Sequence, residues 1–399
     1  DFDSAFDVEP VSLLADPHGG PLVHREATAA DLAGLAALPA VTVDNDDLMD
    51  CEQIAIGTYS PLTGFMDRDT LESVLFENRL PDGTVWTLPV VLQLDDDAAA
   101  KAEAGRRIVL KTRAGAVHSL LDVTAKFTPD LDQLMVPWFG TDSSEHPGVR
   151  RARRRGCWFV AGKVTLVERL PSAFRQFELT PRQTRAVFAH KGWSRVVGFH
   201  TRNPAHQAHR QIQLRAVERS HADGLYVSPV IGPRKPGDFL PGPIMESYQV
   251  LLRSGAYDGV GVVLGGFSTY ARYAGPREAV FTALCRKNMG CSHFVVGRDH
   301  TGVGNFYAPT AAHQLFEKLG DIGIEPLYFE AIGYDTARGE YAPIADADTV
   351  QSISGTQVRD TLRRGERLPS WFMDDKVQDM FLAQLADGEP VFFEDESAA

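Results

Sequence analysis

The residues best suited to chemistry lie in one short stretch, GFHTRNPAHQAHR, residues 198–210. It holds His206 and His209, three positions apart directly after an Asn-Pro turn, and His200 and Arg202 precede them. Imidazoles can donate hydrogen bonds to phosphate oxygens, and a guanidinium can hold an oxyanion through two parallel hydrogen bonds. If a helix begins at the turn, its unpaired N–H groups and partial positive charge also favour a phosphate. The pattern therefore predicts a site for a phosphate or a related oxyanion.

A metal site is the main alternative for His206 and His209. A His-x-x-His pair can chelate zinc, but such sites usually need a third protein ligand of fitting type and geometry. No cysteine or carboxylate stands close by, since the nearest acid, Glu218, lies two turns further along the helical pattern. We therefore expect no metal ligands here.

A second polar stretch, VVGRDHTGVGNFY, repeats the same order of apolar run, cation and histidine. Gly297 ends the apolar run, and Arg298, Asp299 and His300 follow it, with two glycines shortly after. Small residues let backbone N–H groups approach a nucleotide closely. The stretch therefore indicates a second part of a nucleotide site, although glycine turns after strands are common.

Both stretches follow apolar runs that alternate with helical patterns. SRVVGF, LYVSPVIG, GVGVVLGG and SHFVVGRD are typical of buried strands, and LTPRQTRAVFAHKGW of a helix that begins at Thr180 and Pro181. Strands alternating with helices predict a parallel α/β sheet. Ligands bind such sheets at the carboxyl ends of the strands, which is where both polar stretches lie.

The bulk composition is that of a globular chain with several domains. It has 399 residues, of which 44% are hydrophobic and 23% charged, so it is too long for one ordinary core. Residues 1–170 are rich in short strand patterns, and the arginine run VRRARRRG at 149–156 favours an exposed hairpin face over a phosphate contact. The net charge of -13 argues against binding to nucleic acid or an acidic membrane. An anionic substrate therefore requires a local positive site.

The cysteines and the amino-terminal residues indicate the cellular compartment of the protein. The four cysteines form no CxxC pair, which favours reduced thiols in the cytoplasm. No apolar run approaches the roughly 18 residues of a membrane span, and the amino-terminal stretch is unlike a signal peptide. We expect a cytoplasmic protein.

Several long motifs resemble the ATP sulfurylase (sulfate adenylyltransferase) family. They are, in order, PLTGFM, HPGV, HTRNPAHQAH, YAGPREA, RKNMGCSHFVVGRDHTGVGNFY and SISGTQVRDTLRRGERLPSWF. The resemblance implies an α/β protein with a β-rich PUA-like domain (1–170), a Rossmann-like nucleotidyltransferase domain (171–330) and a small α/β C-terminal domain (331–399). It also implies the single-function form, without the kinase-like C-terminal domain of some relatives, and a homo-oligomer.

The resemblance implies transfer of the adenylyl group of ATP to sulfate, giving adenosine 5′-phosphosulfate and pyrophosphate, with Mg²⁺ on the nucleotide. It implies small-molecule substrates only, and we expect no protein-bound zinc because residues 303–350 contain no cysteine. The residues that match the family's catalytic positions are Thr201, Arg202, Asn203, His206 and His209. Those that match its ATP-binding positions are Gly297, Arg298, Asp299, His300 and Ile332.

Two positions depart from the family pattern, and both fall in the implied oxyanion site beside Arg202. His200 stands where the family has Gln, and Thr301 where it has Ala. If both changes are tolerated, the acceptor is sulfate, which we favour; a cationic His200 would instead suit another tetrahedral anion, such as a phosphonate. A non-catalytic nucleotide-binding module is a further alternative, against which the intact T-R-N-P-x-H-x-x-H motif argues.

Overall fold

The computed structural model describes residues 13–297, 302–344 and 349–394. Its strands are β1 (Ala40–Thr42), β2 (Gly64–Phe65), β3 (Leu92–Leu94), β4 (Arg107–Lys111), β5 (Val117–Phe127), β6 (Trp158–Leu166), β7 (Val196–Thr201), β8 (Gly224–Pro229), β9 (Gly261–Leu264), β10 (His293–Gly297), β11 (Glu325–Phe329), β12 (Ile332–Asp335), β13 (Glu340–Pro343) and β14 (Val350–Gln351). Its α-helices are α1 (Ala29–Leu32), α2 (Asn45–Ala55), α3 (Arg68–Glu77), α4 (Asp96–Lys101), α5 (Leu131–Phe139), α6 (Pro147–Arg154), α7 (Pro181–His190), α8 (Gln207–Ser220), α9 (Pro241–Arg253), α10 (Pro276–Asn288), α11 (Ala311–Leu319), α12 (Gly355–Arg363) and α13 (Asp375–Ala386).

The amino-terminal part is built on one mixed sheet of six strands. Its order is β1-β4-β5-β6-β2, and β3 also pairs with β6. Long antiparallel pairing between β5 and β6 forms the centre of this sheet, and β1 joins β4 in parallel. The predicted β-rich character is confirmed, but α2 to α6 add more helix than the sequence pattern indicated.

The arginine run forms helix α6 rather than a hairpin, so that prediction is wrong. His146 caps the helix, because its Nδ1 accepts hydrogen bonds from the backbone N–H groups of the next turn, and Pro147 follows at the first helical position. Arg151 donates to Asp46, and Arg155 donates to Asp47 over 2.5 Å. Acidic residues at the start of α2 therefore pair with two arginines of this run.

The centre of the molecule is a parallel five-stranded sheet, as predicted. Its order is β11-β10-β7-β8-β9, which is the 3-2-1-4-5 arrangement of a Rossmann-like sheet. Helices α8 and α9 bury apolar residues on one face, and α10 and α11 do so on the other. The strand order reverses between β7 and β10, and this is where such sheets open a crevice for a ligand.

The alternation along β7 decides which face each functional residue meets. Val196 belongs to the core on the α10 face, whereas Val197 and Phe199 belong to the core on the α8 face. Side chains in a strand point alternately to the two faces. His200 therefore points towards α10 and Thr201 towards the opposite face.

Each face of the parallel sheet is covered by a different end of the chain. On the α10 face, Phe281 packs edge-on against Tyr59 and Trp86, with ring centroids 4.9 and 5.7 Å apart, so the amino-terminal part shares this core. On the α8 face, α12 and α13 join the second core with α9. The domain limits given above stay a prediction. None of the described helices is long and apolar enough to cross a membrane.

Candidate functional site

The candidate site lies at the carboxyl ends of β7 and β10, on either side of the point where the strand order reverses. β7 ends at Thr201 and β10 ends at Gly297. These two predicted site residues are therefore neighbours at one sheet edge. Four other predicted residues lie outside the described residues: Arg298, Asp299, His300 and Thr301.

The turn after β7 is held by hydrogen bonds at both ends. The backbone N–H of Asn203 donates to Thr201 Oγ1 over 3.0 Å, and that of Ala205 donates to Ser247 Oγ over 2.9 Å. The N–H of Gln207 then donates to the carbonyl oxygen of Phe372 over 2.8 Å. Thr201 is buried and shapes the turn. The next two side chains, those of Arg202 and Asn203, therefore line different cavities.

Arg202 lines a small cavity beside α10, which we name the α10 pocket. Arg272 and Glu278 also line it, but each of them already forms hydrogen bonds with other protein groups. Arg272 donates to Asp50, and Glu278 accepts from the backbone N–H of Arg272 over 2.9 Å. Within the described part of the chain, no carboxylate lies at ion-pair distance from Arg202. Its guanidinium is therefore the positive charge that an anion in this pocket would meet.

Two further cations stand near Arg202, and sequence reasoning missed them. The guanidinium of Arg202 and the ammonium of Lys235 lie 5.9 and 4.2 Å from the ring centroid of Tyr273. Burial and the nearby charge of Arg202 lower the pKa of Arg234 to about 10. Tyr273 has a left-handed backbone, with φ +60°, which is uncommon for a bulky residue. The signal in the sequence was IGPRKPGD, a basic loop directly after a strand of the same sheet.

His200 contacts a buried arginine that the sequence analysis also missed. Nη2 of Arg286, on α10, lies 2.9 Å from Nδ1 of His200, and it also donates to Ser228 Oγ over 3.1 Å. Arg286 is fully buried, and its guanidinium stacks 4.4 Å from the ring centroid of Phe267. Burial lowers the pKa of Arg286. A charged residue inside the apolar pattern of YAGPREAVFTALCRKN was the signal that could have found it.

Asn203 and His206 line a larger groove on the other side of the turn, which we name the α8 groove. It holds about 810 Å³ of empty space, part of which is open to solvent. Ile332 lines the groove as well, together with apolar and aromatic residues of the last 50 residues, including Phe372. The structure thus brings Ile332 to the same cavity as two of the predicted catalytic residues. Arg359 of α12 also reaches this groove.

The two histidines of the turn form a close, tilted pair at the start of α8. His206 is the N-cap, its Nδ1 accepts from the backbone N–H of His209 over 3.4 Å, and the ring centroids are 3.7 Å apart. His206 also stacks on Phe372, with centroids 5.3 Å apart. Burial and the neighbouring His209 lower the pKa of His206 well below its usual value, and burial lowers the pKa of His209 to about 4. Without a bound anion both rings are therefore neutral at pH 7.

The charged residues of YAGPREA support the structure rather than face a nucleotide. Nη1 of Arg277 donates to the carbonyl oxygens of Val74 and Thr87, over 3.0 and 2.9 Å, and to Asn78 Oδ1 over 2.8 Å. The carboxylate of Glu278 accepts a hydrogen bond from the backbone N–H of Ala274, and burial raises its pKa. These contacts tie α10 to the amino-terminal part.

No group of three or more potential metal ligands comes together within residues 13–297, 302–344 and 349–394. The expected absence of a zinc site stays a prediction. The four cysteines are free thiols, and Cys157 is the exposed one.

Comparisons with known proteins agree with this architecture. A family model described as ATP-sulfurylase matches residues 175–384, and one described as PUA-like domain matches residues 15–169. The sulfate adenylyltransferase of Symbiobacterium thermophilum is 40% identical over 379 residues, which cover 92% of this chain and 96% of that protein. The sulfate adenylyltransferase of Synechococcus sp. is 40% identical over 386 residues, covering 94% of this chain and 98% of that protein.

A solved structure supports the fold alone. A hexameric APS kinase from Thiobacillus denitrificans superposes with a TM-score of 0.73 and 24% identity, covering 94% of this chain and 68% of that chain. The resemblance seen in the sequence motifs and the expected PUA-like domain are confirmed by the family matches. With matches of this identity and coverage, the chain belongs to the ATP-sulfurylase family.

Proposed function

We propose that this protein transfers the adenylyl group of ATP to sulfate, giving adenosine 5′-phosphosulfate and pyrophosphate. The observation that carries the proposal is the turn between His200 and His206. It places Arg202 in the α10 pocket and Asn203 in the adjoining α8 groove, at the ligand-binding edge of a Rossmann-like sheet. Relatives named sulfate adenylyltransferase match nearly the whole chain, which supports this choice of reaction.

The reaction needs charge compensation and positioning more than a catalytic base. A sulfate oxygen attacks the α-phosphorus of ATP, the bond to the bridging oxygen of the β-phosphate breaks, and pyrophosphate leaves with the electron pair. Sulfate is already deprotonated at neutral pH, so no proton has to be removed. Holding two anions together in line requires fixed positive groups and donors. Arg202 supplies the cation on the sulfate side, and this local charge overcomes the mean field of a chain with net charge -13.

The α8 groove would hold the nucleotide. In this proposal Ile332 contacts the adenine and Asn203 the phosphates, while His206 and His209 donate to the departing pyrophosphate at the start of α8. The neutral rings gain affinity for protons as negative charge approaches them, so charge that develops on the leaving group strengthens these hydrogen bonds. Gly297, Arg298, Asp299 and His300 would complete the ATP site from the end of β10, and Thr301 would add its backbone N–H to the oxyanion site.

Mg²⁺ enters this proposal with ATP, as part of the substrate. It neutralises phosphate charge, and no residue of this chain is assigned to it. Small molecules are the substrates. A homo-oligomer and a cytoplasmic location stay predictions, which size-exclusion chromatography with light scattering and cell fractionation would measure.

A pyrophosphate-release assay tests the proposal. ATP and Mg²⁺ are offered with sulfate, with selenate, with a panel of phosphonates and without an added anion. We expect release that depends on sulfate or selenate. Release only with a phosphonate would show that the acceptor is a different oxyanion, and nucleotide binding without release under any condition would show a non-catalytic module.

A further inference from the structure

The loop between β8 and α9 carries two cations, Arg234 and Lys235, at its middle. It spans residues 230–240 and has the sequence VIGPRKPGDFL. Its first residue, Val230, lines the α10 pocket, and Phe239, near its end, lines the α8 groove. The loop therefore crosses the sheet edge from one cavity to the other, as the turn after β7 does.

Close contacts hold this loop beside the turn after β7. The backbone N–H of Val230 donates to the carbonyl oxygen of Thr201 over 2.9 Å. At Gly232 an added Cβ would lie 1.7 Å from the carbonyl oxygen of Thr269, so a side chain there would clash with backbone. A proline stands on each side of the two cations and fixes its own φ angle. The loop is thus a rigid support for both cations.

Neither cation has an ion-pair partner among the described residues. Nη2 of Arg234 donates to the carbonyl oxygen of Val230, but its Nε is buried and has no hydrogen-bond partner in the described part of the chain. The ammonium of Lys235 lies over the ring of Tyr273, which the guanidinium of Arg202 also approaches. We name Arg202, Arg234 and Lys235 the cation cluster. A buried cationic donor that no protein group satisfies is costly and indicates a place for an anion.

Two carboxylates act electrostatically on the cation cluster, and backbone N–H groups hold both of them. Asp238 accepts from the N–H of Lys235 over 3.4 Å. Glu278 accepts from the N–H groups of Arg272 and Ala274 over 2.9 and 3.1 Å. Neither carboxylate lies at ion-pair distance from a member of the cluster. Three cations therefore face two carboxylates, which leaves positive charge for an anion to neutralise.

We propose that Arg234 donates to a non-bridging oxygen of the α-phosphate of ATP, with Lys235 beside it as a second positive charge. This inference rests on the proposed function, in which sulfate lies beside Arg202 in the α10 pocket and the nucleotide lies in the α8 groove. The α-phosphate must then lie where the two cavities meet. Arg234 and Lys235 line neither cavity themselves and stand in the middle of the loop that joins them.

The reaction gives such a contact a clear purpose. A bond forms from a sulfate oxygen to the α-phosphorus while the bond to the bridging oxygen of the β-phosphate breaks, and the electron pair leaves with pyrophosphate. The non-bridging oxygens of the α-phosphate stay negative while a second anion approaches them. Fixed cations at these oxygens lower the repulsion between the two anions and stabilise the transition state.

Phosphorothioate analogues of ATP test the contact directly. In the Sp and Rp diastereomers of ATPαS, sulfur replaces one or the other non-bridging oxygen of the α-phosphate and accepts hydrogen bonds more weakly. The thio effect is the ratio of kcat/KM for ATP to that for each analogue, measured as sulfate-dependent pyrophosphate release. In Arg234→Met we expect this effect to fall at least about fivefold for one diastereomer and to stay within about twofold for the other. Two unchanged thio effects would overturn the proposal.

Steady-state constants separate contact with the α-phosphate from contact with sulfate. We expect Arg234→Met to lower kcat about 10²-fold and Lys235→Met about fivefold, with the KM for sulfate within about threefold of the wild type. Arg234→Lys keeps a cationic donor and should recover at least about tenfold of the lost kcat. A raised KM for sulfate at unchanged kcat would place these cations on the acceptor and overturn the proposal.

A matched variant separates this role from the loss of any arginine. Arg182→Met removes an exposed arginine of α7, and it should leave kcat and both thio effects as in the wild type. If Arg234→Met does not fold, Arg234→Gln, which stays polar but is shorter, gives the same comparison. Absence of sulfate-dependent release in the wild type would overturn the proposed function. Unchanged thio effects in an active, folded variant would overturn this inference alone.

Discussion

Arg202 is the residue on which the proposed chemistry depends most. It lines the α10 pocket and, of the residues described, no carboxylate lies at ion-pair distance from it. Arg202→Ala should lower kcat/KM for sulfate by about 10²–10³-fold, or roughly 3–4 kcal/mol of transition-state stabilisation. Steady-state kinetics measure this. Arg253→Ala, on the exposed side of α9, should change the same constant less than about twofold; unchanged turnover in Arg202→Ala would exclude its assigned role.

The paired histidines His206 and His209 predict a loss of stability in acid. In the unfolded chain the pKa of a histidine is near 6.5, whereas the folded pKa of His209 is about 4 and that of His206 is also lowered. Between these values the unfolded chain binds protons that the folded chain does not, so stability falls as the pH drops from about 6.5 towards 4. Above pH 6.5 these residues make no such contribution.

Thermal unfolding without ligands, measured between pH 7.5 and 5, tests this expectation. His209→Gln cannot take up the proton, so its melting temperature should fall less steeply with pH than that of the wild type. His190→Gln removes an exposed histidine of α7 and should keep the wild-type slope. If the melting temperatures of all three proteins fell equally steeply with pH, the two histidines could not both be neutral in the folded protein.

Sequence reasoning located the residues on β7 but not the residues behind them. The order His-Thr-Arg-Asn-Pro and the neighbouring histidines were readable because they are adjacent in the chain. Arg286 meets His200 only through the packing of α10 on β7, across 86 positions of sequence. Arg234 and Lys235 were hidden for the same reason, since their approach to Arg202 depends on the pairing of β7 with β8.

At the level of elements, the ion pair of Asp50 on α2 with Arg272, just before α10, leads to a prediction about stability. Asp50 receives hydrogen bonds from Arg272, from Tyr59 over 3.1 Å and from Tyr270 over 2.8 Å, and both members of the ion pair are buried. Asp50→Ala leaves a buried arginine uncompensated and should cost about 3–5 kcal/mol in the free energy of unfolding.

Denaturant unfolding measures that cost, with an exposed ion pair as the control. Glu72→Ala breaks the surface pair with Arg68 on α3, whose side chains are about half exposed, and should cost less than about 0.5 kcal/mol. Equal stability of the two variants would show that the Asp50 pair is not needed to join these elements.

Element types were predictable where local signals were strong. Thr180 and Pro181 begin α7 as predicted, with a capping box to Gln183, and Ser354 begins α12 in the same way with Gln357. The arginine run was misjudged because a run of one charge does not reveal its partners. Arg151 and Arg155 find carboxylate partners only through tertiary contact with the acidic start of α2.

For the whole molecule, the shared core predicts that the amino-terminal part and the parallel sheet stabilise each other. Phe281→Ala removes a buried ring that contacts Tyr59 and Trp86, and it should cost about 3–5 kcal/mol. Hydrogen exchange followed by mass spectrometry should then speed up in peptides of both β5 and β7.

Phe381→Ala is the matched control, since it removes the same ring from the core on the opposite face. It should speed exchange in α9 and α13 and leave β5 unchanged. Faster exchange confined to the parallel sheet in Phe281→Ala would show that the amino-terminal part is independent of it.

The fate of the sulfate oxygens tests the central claim most directly. ATP, Mg²⁺ and sulfate labelled with ¹⁸O at all four positions are incubated with the protein, and the products are weighed by mass spectrometry. If a sulfate oxygen attacks the α-phosphorus, adenosine 5′-phosphosulfate appears with all four labels, together with unlabelled pyrophosphate. Absence of this labelled product, with the protein folded and ATP bound, would contradict adenylyl transfer to sulfate.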